Sequence, residues 1–373
     1  MIIKTIEFFG MFTDMTKTNW KRALICVGAG LLTLPAFAAV ETVTYGNFEV
    51  SFYGNGDVFS SNHWGNHSSS QDWTQEVKDC VGRALNYWSD VIVTDSTEKV
   101  KVAFVWQELV SGALGGASPL YYWNPYSGVC YSNGEAALRE HAYSSAYYNL
   151  SNKETTSLVR ISTNANFYYG ESETGITYVQ YDLQSVLVHE IGHIMGFDSF
   201  CDGDPTWGNL TMSNGDTFTA VTTLDTLLVT ENANGELVSV FEAKNSVDYP
   251  GWVNYEQTVE FSAGKEYFLK TGETDSGELQ LSTLKVYNPT KYSAGSSMSH
   301  VEATGTGEEP QMSYAIANGK IRRELTSDEL TLLRAMGWTV AVPEPSAFGL
   351  LAGTFALALA VGSRRRKRGK EKF

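Results

Sequence analysis

The sequence is short of cysteine, proline, basic charge and long apolar runs, and each shortage excludes something. Four cysteines in 373 residues (Cys26, Cys80, Cys130 and Cys201) exclude a disulfide-dense scaffold. Cys26 falls in a stretch expected to be removed, so at most one intramolecular bridge can form and one thiol is left over. Cys130–Cys201 is one possible pair, although spacing alone does not fix connectivity. Proline occurs nine times against thirty-four glycines, so turns rely on glycine. Lys and Arg total 27 against 42 Asp and Glu, for a net charge of −15. The two ends hide part of this. Residues 1–38 carry +2 and residues 343–373 carry +5, and subtracting both leaves −22 for the body. So acidic a body excludes nucleic acid as a partner, because phosphate binding needs a basic footprint. There is no internal repeat and no low-complexity block. The length and the 43% hydrophobic content suffice for one large or two modest domains.

What is present begins with two addresses. Lys17, Lys21 and Arg22 precede an apolar stretch from Ala23 to Leu34, followed by Ala36-Phe37-Ala38. This reads as a secretory signal cleaved after Ala38, since about 12 apolar residues are too few to span a bilayer. Met11 and Met15 are alternative starts. At the other end, Pro343-Glu344-Pro345 leads into an apolar run from Ala347 to Val361 and then Arg364-Arg365-Arg366-Lys367-Arg368. The basic cluster should stay cytoplasmic, so the run acts as a stop-transfer transmembrane helix with the body outside. This tripartite tail resembles the PEP-CTERM sorting signal of Gram-negative bacteria. The resemblance implies cleavage by an exosortase-type enzyme and delivery to the envelope surface or beyond, with the membrane engaged only through this segment.

Between the ends, residues 39–70 read as turn-rich and polar. Asp72 to Ser89 has helical spacing through Trp73, Val77, Val81, Leu85 and Trp88. Val100 to Trp106 and Leu158 to Thr163 read as strands, Gly112 to Ser118 as a glycine-rich loop, and Gly134 to Tyr148 as a helix. Tyr181 to Gly196 is the strongest helix, with Leu183, Leu187, Ile191 and Ile194 as its apolar stripe, Asp182 near its start and Gly196 at its C′ position. Residues 199–295 read as β-hairpins with turns at Asn232–Gly235 and Ser262–Gly264. A final helix runs from Leu325 to Trp338, with Ser327 and Asp328 near its cap.

The chemistry lies in His189-Glu190-Ile191-Gly192-His193. Two histidines four apart on a helix project from one face a turn apart and can share one Zn²⁺. Glu190 points elsewhere and can take a proton from a metal-bound water whose pKa the ion lowers toward roughly 7. It can then deliver that proton to a leaving nitrogen. A catalytic zinc needs a third ligand. Ser199, at the position where metzincins place one, is a poor donor. Asp198 stands one residue early, and His300 in Gly295-Ser296-Ser297-Met298-Ser299-His300 is the stronger candidate. Of the other histidines, His63 and His67 lie in a Gly/Ser/Asn-rich stretch and read as surface residues, and His141 has no partner pattern. Asp202-Gly203-Asp204 is too short to claim a calcium site.

With Gly196 three residues past His193, a distant His300, then Gln311-Met312-Ser313-Tyr314 and the closing Leu333-Arg334-Ala335-Met336-Gly337-Trp338, residues 70–340 resemble the leishmanolysin-like zinc metallopeptidases of the metzincin class. The resemblance implies an α+β zincin fold: a twisted mixed sheet, a zinc-binding helix and a β-rich insertion. It would divide into subdomains 39–198 and 199–340, followed by the sorting segment 341–373. It implies His189, His193 and His300 as metal ligands, Glu190 as general base and Met312 as the floor of a Met-turn. Tyr314 stands two residues after Met312, as in the Met-Ser-Tyr of serralysin-type enzymes, a separate resemblance that implies stabilisation of the oxyanion; leishmanolysin-like members often lack this tyrosine. Zn²⁺ is the expected cofactor and protein or peptide the substrate. The rival reading is a non-catalytic surface or matrix binding module on the same scaffold.

Overall fold

Alternating apolar and polar residues build the sheet that positions everything else. The protein is described by a computed structural model covering residues 40–110, 112–140, 148–150, 154–201, 209–211, 215–293, 295–303 and 309–341. The signal and sorting readings for residues 1–38 and beyond 341, His141, and Asp202-Gly203-Asp204 lie outside these residues.

The described residues begin with β1 (Glu41–Tyr45) and β2 (Phe48–Tyr53), then β3 (Val58–Ser61) and β4 (Gly65–Ser68). The turn-rich reading of residues 39–70 is therefore corrected: two hairpins occupy it. Its signal was the alternation of Phe48, Val50 and Phe52, all buried, within a Ser/Thr/Gly-rich background. Helix α1 (Gln75–Val91) follows, with Thr74 accepting from the Val77 amide as N-cap and Val77, Cys80, Val81, Ala84, Leu85 and Trp88 buried along one face. Next come β5 (Val100–Gln107) and β6 (Gly115–Ser118), so the expected glycine loop is an edge strand over its second half. Then follow β7 (Tyr121–Asn124), β8 (Val129–Ser132), α2 (Asn133–Leu138), β9 (Tyr148–Asn149), β10 (Thr156–Ser162), β11 (Phe167–Tyr168), β12 (Tyr181–Asp182) and α3 (Leu183–Ile194). Helix α2 stops ten residues before the expected Tyr148. Arg139 ends it because its guanidinium turns back to Glu135 and to the carbonyl of Met336, and Tyr148 instead pairs in a sheet.

The main sheet has the order β1-β2-β5-β10-β6. Its centre is parallel (β2/β5/β10) and both edges are antiparallel. One face carries Phe48, Val50, Val102, Phe104, Val159 and Ile161 into the core shared with α1 and α3. The other face carries Ala103, Val105 and Leu158 under Phe59 of the β3–β4 hairpin.

After α3 the texture becomes short strands: β13 (Asn209–Thr211), β14 (Thr217–Thr219), β15 (Val221–Thr222), β16 (Leu228–Glu231), β17 (Leu237–Ser239), β18 (Phe241–Asn245), β19 (Val253–Gln257), β20 (Phe268–Glu273) and β21 (Leu279–Lys285). This is the β-rich region expected, with Asn232–Gly235 turning β16 into β17. The turn at Ser262–Gly264 links β19 to β20, which lie in different sheets. Helix α4 (Ser327–Ala335) is the last element among the described residues. Its cap is Thr326, one residue before the expected pair, because Thr326 and Glu329 form a reciprocal capping box. Val286, Met298, Met312, Leu332 and Trp338 join the same core as the first sheet. Mixed α+β architecture is thus observed. Cys80, Cys130 and Cys201 are buried thiols, so no Cys130–Cys201 bridge forms. No helix among the described residues is long and apolar enough to cross a membrane.

Candidate metal centre

The first two histidines are placed by α3. Asp182 caps the helix, accepting from the amide and hydroxyl of Ser185 at 2.9 and 2.6 Å, and is itself gripped by the Arg323 guanidinium. Two indoles hold its middle and its far end: Trp88 donates to the Val188 carbonyl at 2.9 Å and Trp338 to the Met195 carbonyl at 3.1 Å. The chain leaves the helix at Gly196, whose φ of 104° is left-handed. A Cβ there would lie 2.7 Å from the buried Glu135 carboxyl, so conformation and space both require glycine. Gly192, inside the helix, is constrained by space alone: a Cβ would meet the Met312 sulfur at 2.4 Å. Met312, fully buried, therefore lies directly against the helix between the two histidines.

The third histidine arrives from far along the chain. Tyr287 and the 298–300 segment exchange two backbone hydrogen bonds of 2.9 and 2.8 Å, and Val301 bridges Val286 and Ser313. Met298 sits at φ 69° although it is not glycine, a strained conformation held by its complete burial. The turn so made aims His300 inward.

The three imidazoles meet edge to edge. His189 Nε2 lies 3.0 Å from His300 Nε2 and 3.2 Å from His193 Nε2. Each Nδ1 faces a backbone carbonyl, that of Gln311 for His189 (2.8 Å), Phe197 for His193 (2.5 Å) and Ser296 for His300 (2.8 Å). Donation at Nδ1 fixes the tautomer and leaves a lone pair on every Nε2. Three lone pairs facing one another repel unless a cation sits among them. Burial first, and then the His193 imidazole, push His189 down to about 3, and the same causes hold His300 well below its usual value. Protonation is therefore a poor way to relieve the repulsion. Tetrahedral bonds of about 2.05 Å place ligand nitrogens about 3.3 Å apart, close to the spacing seen. These three histidines, the one such cluster among the described residues, fit a metal ion.

The shell behind the ligands is itself organised. The backbone amides of Gln311 and Met312 donate to the Glu329 carboxylate, and the Gln311 side-chain amide donates to the Ser185 carbonyl at 2.5 Å. The capping glutamate of α4 thus fixes the carbonyl that orients His189. Asp198 is not a ligand in this arrangement. Its carboxylate accepts from the Tyr121 and Ser299 hydroxyls and the Ser199 amide, which ties the exit of α3 to the residue before His300. His63 and His67 lie in the β3–β4 hairpin, half-buried rather than on the surface, with His67 held by the Trp64 carbonyl and the Gln107 side chain.

Glu190 follows His189 on the helix and points toward β6. Burial pushes its carboxyl up to about 7, against the pull of His193, Arg160 and the Ala117 backbone. A Cβ on Gly115 would stand 2.6 Å from its Oε1, so the glycine is what lets an edge strand approach the carboxyl. Tyr314 is 46% exposed on the cleft wall, its ring stacked on Tyr287 at 3.9 Å. The cleft in front of the histidines has a volume of about 900 Å³. Sequence reasoning missed Gly115, Gly192, Glu329 and Arg160. Only Glu329 carried a readable signal, the Thr-x-x-Glu capping pattern. Compared with known protein families, curated proteins and solved structures, the chain shows no significant match.

Proposed function

We propose that the chain is an exported zinc-dependent endopeptidase of zincin type. The observation that carries this reading is the convergence of three imidazoles beside a buried carboxyl, at the open edge of a sheet. Zinc bound by three imidazoles supplies Lewis acidity and a water of lowered pKa. The Nδ1–H bonds to Gln311, Phe197 and Ser296 keep the ligand nitrogens aimed while substrate enters. The Glu190 carboxylate takes a proton from the attacking water and returns it to the leaving nitrogen. β6 lies at the end of the sheet order, so an extended peptide can add to it and bring a carbonyl past Glu190. Tyr314 on the cleft wall is the candidate for stabilising the oxyanion. Export by residues 1–38 and surface delivery by the 341–373 segment belong to the same reading.

Glu190→Gln tests it. Hydrolysis of a casein-type substrate should fall about 10²- to 10⁴-fold while bound zinc stays stoichiometric. Equal rates in the two proteins, with zinc retained in both, would leave a metal-binding module without turnover.

A further inference from the structure

Arg160 is the anomaly of the cleft. Most half-buried arginines described here are committed: Arg83 to Gln184 and a carbonyl, Arg139 to Glu135 and Glu140, Arg323 to Asp182, and Arg322, in the same cleft, to Pro310, Ser313 and Ala315. Arg160 has one long contact, 3.4 Å to the Ser118 hydroxyl, and its buried Nε has no partner. Glu190 acts on it through space, and burial pulls its pKa down. A desolvated cation that hydrogen-bonds to no carboxylate is costly to hold and is an expected feature of a binding site.

The sheet geometry says which ligand would reach it. Arg160 of β10 pairs with Gly116 of the edge strand β6, so both point to the hairpin face, whereas Gly115 points to Glu190. A Cβ on Gly116 would meet the guanidinium at 3.2 Å, so consecutive glycines leave room for the two groups on opposite faces of the same edge. A peptide added to that edge also alternates, with one side chain toward the imidazoles and the next toward Arg160. On that second side the Trp64 indole N–H, in the β3–β4 turn, is also buried and unpartnered, and it lines the same cleft. Two orphan donors, one of them cationic, call for an anionic acceptor.

We infer that Arg160, with Trp64, selects an aspartyl or glutamyl side chain in an extended substrate, on the residue next to one facing the metal centre. The inference rests on the peptidase reading for its substrate but is tested by binding. Full-length protein carrying Glu190→Gln and loaded with zinc is titrated with fluorescent, C-terminally amidated peptides that differ only in Glu or Gln at one position. The Glu peptide of one register should bind about tenfold or more tightly than its Gln isostere. Arg160→Gln should collapse that ratio toward one, Arg160→Lys should restore part of it, and Trp64→Phe should lower it by a smaller factor. A ratio of one at every position without the Arg160 change, a ratio that survives Arg160→Gln, or selectivity seen only with a free C-terminal carboxylate would overturn the assignment. Cleavage by the unmodified protein separates the two ideas. Turnover without acid preference refutes Arg160 and keeps the peptidase, and acid-selective binding without turnover refutes the peptidase and keeps Arg160.

Discussion

Helix α3 and the 295–300 turn deliver ligands to the same point by opposite means. In α3 the spacing is local: a four-residue step puts His189 and His193 on one face, and the rest of the helix is held by caps and indoles. In the turn nothing local suffices. His300 is aimed by a left-handed Met298, a backbone exchange with Tyr287 and a bond to Ser296, all of them on chain far beyond the end of the helix. The local pair is cheap to encode and the remote ligand is expensive, so disturbing them should have different consequences.

The largest effect should come from the anchor at the end of α3. Trp338 is buried and its indole binds the Met195 carbonyl at the end of α3. Trp338→Ala should cost about 3–5 kcal/mol in urea unfolding, as for other buried aromatic truncations. A cost below about 1 kcal/mol would mean that α3 stands without it. Next is a direct comparison of ligands. His193→Ala and His300→Ala should each weaken zinc binding by more than the roughly 10- to 100-fold typical of outer-shell changes, measured by chelator competition. If His300→Ala left affinity unchanged while His193→Ala abolished it, the remote ligand would be no ligand. Glu329→Gln sits one layer out. It weakens the grip on the Gln311 and Met312 amides and through them the orientation of His189. Zinc affinity should drop roughly 10- to 100-fold, with about 1–3 kcal/mol lost in stability.

How far the sequence disclosed this site follows the same division. The ligand pair, Glu190 and both ends of α3 were legible because period, cap and C′ glycine all lie within sixteen residues. His300 was visible as a candidate, but no local spacing specifies it, and its role as a ligand came through a resemblance. The edge strand β6 was hidden because its glycines carry no strand propensity; they are there to admit Glu190 and Arg160, which are distant in sequence. The overlong α2 and the Cys130–Cys201 pairing failed for a related reason. Arg139 is captured by a carbonyl nearly two hundred residues away, and spacing along the chain says nothing about how two thiols are oriented.

The smallest and most discriminating test is the pH dependence of the metal-free protein. In the fold His189 is held near 3 and His300 well below its usual value, while in the unfolded chain each titrates at about 6.5. As pH falls below that value the unfolded state binds more protons than the native state, so these imidazoles make stability fall. Glu190 and Asp225, raised by burial to about 7 and about 6, act in the opposite direction over an overlapping range, which masks the trend in the wild type alone. The difference between wild type and His300→Gln cancels those carboxyls. In chelator-treated samples the variant should gain on the wild type as pH falls below 6.5, by at most about 1.4 kcal/mol per pH unit. A difference independent of pH between 7 and 5 would mean that His300 titrates normally in the fold, and hence that it is not buried against the other two rings as described.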